Sequence, residues 1–312
     1  MKDVFPTANT IVCIEESKLL KQFEYDILYD KKGLQETVEE LNKINYFNTY
    51  HNATVENFNS MLDGLMEATF NLLKRITPVA YLCRLFTLEY DIHNMKLVVK
   101  ERLMRQRLDH LSLSYGNYPM RTIRSAAVRE SDDILENKIL TTGLFQALQA
   151  ESIYEVEFIL DQTYFQALTE FAEFVGHRDI KSFVRLKVDL YNISAHFQEL
   201  ATGNQGYFEK VFSAYGNYSL KEREELLHAY RSIWNETTEQ QKQLAQLDVW
   251  LDNYLIEKTK VAKLEAFGVV PICAYFFNKL MEIKNIRILL TGKAGAYPTD
   301  AIKKRMRIPY EL

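Results

Sequence analysis

Apolar positions along this 312-residue chain recur at spacings of three and four, not two. Phe58, Met61, Leu62, Leu65 and Met66 form a one-sided stripe, and Leu244, Leu247, Leu251 and Leu255 repeat the pattern in the polar-rich stretch from Glu236 to Lys260. That period lays one face of a helix against a core, and no segment alternates as a half-buried strand would. It predicts helices from Ala8 to about Leu28, from Leu34 to Leu41, from Pro78 toward Leu108, between Met120 and Gly143, from Leu144 to Val175 and from Ile180 to Leu200. Thr299 is placed to cap a last short helix that Pro309 stops. Lys31 to Gly33, Gly176-His177 and Thr202 to Gly206 punctuate the rest. The predicted class is all-α.

Within this pattern one short string returns three times: an acid, an aliphatic residue, any residue, Asn, then an apolar residue. It reads Asp91-Ile92-His93-Asn94-Met95, Asp189-Leu190-Tyr191-Asn192-Ile193 and Glu282-Ile283-Lys284-Asn285-Ile286. The acids lie 98 and 93 residues apart. Asparagine is a poor helix former because its amide competes for backbone partners, so three helices that keep it ask for a reason. Acid and Asn at i and i+3 share a face, and we read a helix that buries one side and uses Asn to hold neighbouring backbone. Upstream stand Leu62-Asp63, Leu160-Asp161 and Leu247-Asp248; downstream stand Gly116-Asn117-Tyr118-Pro119, Gly216-Asn217-Tyr218-Ser219 and Gly295-Ala296-Tyr297-Pro298. Three markers in one order predict an internal triplication with a period near 95 residues, divided as 1–117, 118–205 and 206–312. The bland alternative is chance recurrence of short degenerate strings.

Composition narrows the function classes. Eleven Gly and six Pro are few for a turn-rich β fold. A formal charge of −4 provides no basic footprint for nucleic acid. Cys13, Cys83 and Cys273 are isolated and lack metal spacing, which reads as reduced core thiols in a cytosolic protein. The N-terminal residues lack a signal pattern, and the longest apolar stretch, Phe267 to Phe277, is too short for a bilayer. The one concentrated charge run, Lys96, Lys100, Arg102, Arg105 and Arg107, reads either as a solvated face or as a contact for an acidic partner.

Catalytic motifs are sparse. Thr291-Gly292-Lys293 has the letters of a phosphate loop without its spacing, and the six His residues are scattered. Asp132-Asp133-Ile134-Leu135-Glu136 could hold Mg²⁺ against a diphosphate, as in all-α terpenoid synthases. A second metal cluster starting at Asn192 would then be needed, and His196 stands where its Ser should be. The plainer reading has Ser131 capping a helix whose first-turn acids suit the dipole. No cofactor or metal site is expected; a diphosphate enzyme and a generic helical scaffold stay as alternative readings.

The landmarks together resemble the C subunit of V-type ATP synthases, equivalent to the d subunit of the eukaryotic vacuolar ATPase. Ala8-Asn9-Thr10 through Leu20, Leu160-Asp161-Gln162-Thr163-Tyr164-Phe165 and, above all, Glu282 to Arg287 with Gly292-Lys293 carry the likeness, which spans essentially the whole chain. Ser194 and Met95-Lys96 depart from it where the third copy has Ile286-Arg287, so the first two copies keep the basic residue only partly. The resemblance implies three related helical units around a pseudo-threefold axis as a funnel. It further implies a non-catalytic socket on the cytoplasmic face of the membrane rotor ring, holding the foot of the D–F shaft and passing torque during proton or sodium transport.

Overall fold

The computed structural model describes residues 5–47, 53–77, 81–129, 135, 137–234, 240–260 and 268–310. Among them the chain is helical with no strand, as the three-and-four spacing requires. Contacts divide it into two compact units, Val79–Arg231 and Met1–Pro78 together with Ser232–Leu312.

In the unit that joins the two chain ends, α1 (Pro6–Glu16), α2 (Gln22–Asp30), α3 (Leu34–Lys43) and α4 (Phe58–Ile76) come from the N-terminal part. Of these, α1, α3 and α4 pack on α13 (Val270–Ala294), joined by α12 (Gln240–Thr259) and the short α14 (Thr299–Lys303). Helix α13 is buried nearly all round: Ile272, Phe276, Ile286, Leu289 and Leu290 are wholly inaccessible. Each such side chain contributes roughly 1.5–3 kcal/mol over an exposed one, which makes α13 the axis of this unit.

The other unit is built on α8 (Ile153–Val175), flanked by α5 (Tyr81–Met104), α7 (Lys138–Leu148) and α9 (Arg178–Thr202), with α6 (Met120–Arg129) against α5 and α7. Ser152 starts α8 through a capping box: its hydroxyl accepts from the Glu155 N–H and Glu155 accepts from the Ser152 N–H. Helices α8 and α9 both end on a left-handed glycine, Gly176 (φ 70°) and Gly203 (φ 66°). After α9 come α10 (Tyr207–Val211) and α11 (Arg223–Ala229).

Cys13 is exposed on α1 rather than part of the core, and three expectations about the helices change. The segment Ala8 to Leu28 is two helices, because the chain breaks at 17–21 to bury Leu19 and Leu20 and to aim the Leu20 N–H at the Glu282 carboxylate, 2.6 Å away. Gly143 does not end a helix; it lies inside α7, where a Cβ would stand 2.1 Å from Thr163 Oγ1, so it lets α7 and α8 approach. Thr299 is the first residue of α14 rather than its cap, which falls on Pro298.

Candidate functional site

The three repeated asparagines are buried and do the same thing. Asn94 Nδ2 donates to the Leu113 carbonyl at 2.7 Å while the Leu113 N–H donates to Asn94 Oδ1 at 3.0 Å. Asn192 makes the same pair with Ser213, both bonds 2.9 Å. Asn285 makes it with Arg307, at 2.9 and 2.8 Å. The held residues lie 19, 21 and 22 positions downstream. A carboxamide is the side chain that offers a donor and an acceptor side by side, so it clips onto one residue's N–H and C=O. Each pair is a staple between a long helix and the chain that leaves it.

A carboxylate one turn earlier adds a second fastening on α5 and α9. Asp91 accepts from the Tyr118 N–H (3.0 Å) and from Asn117 Nδ2 (2.6 Å). Asp189 accepts from the N–H and Nδ2 of Asn217 (2.8 and 2.6 Å) and from the Tyr230 hydroxyl (2.7 Å). The glycines beside them are there for space. A Cβ on Gly116 would lie 2.4 Å from Asp91 Oδ1, and one on Gly216 would lie 2.3 Å from Asp189 Oδ1. Neither has the positive φ that turn geometry would demand. Burial pushes the Asp91 carboxyl up to about 6 against these donors, and moves Asp189 in the same direction.

On α13 the acid is Glu282, which turns instead to the Leu20 N–H and to Lys279 Nζ (2.5 Å). Its downstream Gly295 stands closest to the ring of Tyr297. The second fastening comes from Arg307, which is 4 % exposed and whose guanidinium donates to Asp248 (2.7 Å), Asp252 (2.8 Å) and the Arg305 carbonyl (2.7 Å). Asn253 adds a bond from the Ile308 N–H. Sequence reasoning missed Arg307; acids at i and i+4 on α12 were the available signal.

The basic run separates into two groups. Lys96 pairs with Asp161 (2.6 Å) and Glu157 (2.5 Å), and Lys100 pairs with Glu157, all on α8. Burial opposes charge on Lys96, but the two carboxylates outweigh it and hold the ammonium above its usual range. Arg102 and Arg105 are exposed and no carboxylate pairs with them among the described residues. They line a groove of about 740 Å³ between the ends of α5, α6 and α7. Arg105 takes a left-handed φ of 53°, as do Asn45 and Ala296 after α3 and α13. Without a glycine there the conformation costs about 1 kcal/mol.

For the diphosphate reading, Asp132, Asp133 and Glu136 lie outside the described residues. Asn192 is committed to Ser213, and His196 sits against the Arg223 guanidinium at 2.6 Å. Burial and that guanidinium push the imidazole down to about 4, so it is neutral near pH 7. No group of three His, Cys, Asp or Glu side chains is placed to hold a metal among the described residues. Nor is any described helix long and apolar enough to cross a membrane.

Comparison with known proteins covers the whole arrangement. The family pattern described as ATP synthase (C/AC39) subunit matches residues 8–305. The chain is 22% identical to the C subunit of the V-type sodium ATPase of Enterococcus hirae, over 97% of this chain and 98% of that protein. It is 23% identical to the C subunit of the A-type ATP synthase of Methanocaldococcus jannaschii, over 96% and 86%, and 21% identical to that of Methanococcoides burtonii, over 98% and 89%. A match that takes in the α5 and α9 staples and Asn285 of the third, and stops two residues short of Arg307, is not a shared fragment: the chain belongs to the ATP synthase (C/AC39) subunit family.

Proposed function

We propose that this chain is the non-catalytic C subunit of a rotary V/A-type ATPase or ATP synthase. It serves as the socket that joins the D–F shaft to the membrane rotor ring, passing torque between them on the cytoplasmic face. The end-to-end match to proteins named as the C subunits of V-type and A-type machines carries this reading. The staples support its mechanical half. An adaptor under torque has to keep loops from peeling off helix ends, and a buried two-bond clip to backbone resists that better than surface charge. We read Asp91/Asn94, Asp189/Asn192 and Glu282/Asn285 as the marks of one helical module present three times, over 1–117, 118–205 and 206–312, set around a pseudo-threefold axis.

The test is reconstitution. The full-length chain is expected to bind purified D–F shaft complex and to bridge it to ring-bearing vesicles. Absence of shaft binding, with folded partners, removes the reading. The whole chain has to be used, because truncation at Asp300 takes away Arg307 and with it the partner of Asn285.

A further inference from the structure

We infer that the groove at the C-terminal end of α5 is the seat of an acidic, amphipathic helical segment of another protein of the rotor; this rests on the function proposed above. Among the described residues, four arginines, Arg102, Arg105, Arg107 and Arg124, line it against one glutamate, Glu101. Arg124 is spent on Glu101 and Asp109, and Arg107 reaches Glu101 only at 3.5 Å. Glu101 is also fixed by the Leu108 N–H, so the loop is built around it and it is not free to neutralise anything else. That leaves Arg102 and Arg105 as cations with no carboxylate partner among the described residues, on a chain whose formal charge is −4.

The α5 dipole accounts for part of this, since its C-terminal end carries about half a negative charge. Two or more guanidinium charges exceed that. Arg105, moreover, occupies the left-handed position that α8 and α9 give to glycine, so the chain keeps a side chain where stability favours none. The floor is apolar (Val98, Ala127 and Leu148 are buried) and Val128 on its rim is 83 % exposed. A concave site with apolar floor and forked donors on its edge suits carboxylates on a helix that also inserts aliphatic side chains. At about 740 Å³ it is too large for a free phosphate.

The experiment places a photo-crosslinking benzoylphenylalanine at Val128 of the full-length chain and assembles the rotor from purified shaft proteins and ring-bearing vesicles. A crosslink to an Asp/Glu-rich segment of a rotor partner is expected. It should fall at least tenfold in R102E/R105E and lose its sensitivity to salt. R105G is expected to raise the Tm while lowering crosslink yield, a pairing that a purely structural arginine would not give, and it decides the matter if the double variant misfolds. Crosslinking to lipid, to a neutral or basic segment, or with unchanged yield in these variants overturns the proposal while intact shaft binding leaves the socket function standing. A wild-type chain that does not join the rotor removes both.

Discussion

The ends of α5 and α9 are fastened differently from the end of α13, although all three begin with the same asparagine clip. At α5 and α9 an aspartate, a close-packed glycine and a following asparagine form the second fastening. At α13 the acid is a glutamate drawn off to the N-terminal segment, and a buried arginine from the tail takes over, bridging to α12. The difference separates what is needed from what is convenient. The clip to backbone is common to all three; the charged group behind it depends on what each unit has within reach.

If the clip is the essential part, removing it should cost most where the clipped backbone is most buried. Asn192→Ala strands the N–H and C=O of Ser213, which is wholly inaccessible. Two unpaired buried groups amount to a loss of about 3–4 kcal/mol, read from urea unfolding. Asn285→Ala should match it, while Asn94→Ala should lose about 1 kcal/mol less because Leu113 is only half-buried and water can reach it. Equal losses at Asn94 and Asn192 would mean that burial is not what sets the strength of a staple.

The glycines sharpen the contrast next. Gly116→Ala and Gly216→Ala force a Cβ against a buried carboxylate that already holds two or three donors. Overpacking of that kind costs about 2–3 kcal/mol. Gly295→Ala meets a tyrosine that is 64 % exposed and free to swing, and should cost less than about 0.5 kcal/mol. Thermal unfolding of the three variants side by side distinguishes the two kinds of glycine.

That pair of glycine types shows how far the amino-acid order could be read. The all-α class followed from the three-and-four spacing alone. The asparagine strings and the Gly-Asn-Tyr landmarks were visible as well. Their partners were not, for a physical reason: Leu113, Ser213 and Arg307 are held by main-chain atoms, which every residue type supplies. Gly116 and Gly216 were visible only as markers of the repeat, and the approach of Asp91 and Asp189 reveals their role. The basic run was legible as charge, yet the pairing of its lysines depends on Glu157 and Asp161, 57 and 65 residues from the lysines they hold, while Arg102 and Arg105 have no carboxylate partner among the described residues. The break at 17–21 was hidden because its cause, Glu282, lies at the other end of the chain.

Charge state gives a third and smaller test. The folded chain raises Asp91 from 3.8 to about 6 through burial, so it binds that proton more tightly than the unfolded chain does. The resulting stabilisation is full below about pH 4 and is lost as pH rises through about 6. Asp91→Asn removes this titration. Between pH 4 and 7 its stability should therefore gain on the wild type by about 2 kcal/mol, with Asp189→Asn moving in the same direction. A gap that stays flat with pH would show Asp91 ionised throughout and its two donors sufficient to hold the charge.

The smallest effect belongs to the surface. Two residues after Asn94 stands Lys96, within a half-buried network; two after Asn285 stands Arg287, paired with Asp63 at 2.7 Å on an open face. The side chains of the latter pair are 38 % and 55 % exposed, so water screens them and the coupling should be under about 0.5 kcal/mol. A double-mutant cycle of Arg287→Met and Asp63→Asn measures it, and raising salt should shrink it further. Lys96→Met, which strands Asp161 beside Glu157, should lose more, about 1–2 kcal/mol. The order matters more than either value. Were the Arg287–Asp63 coupling to exceed about 1 kcal/mol, the top of the range for exposed pairs, α13 would be secured to α4 from outside, and the buried amide of Asn285 would be an accessory to a charge pair rather than the reverse.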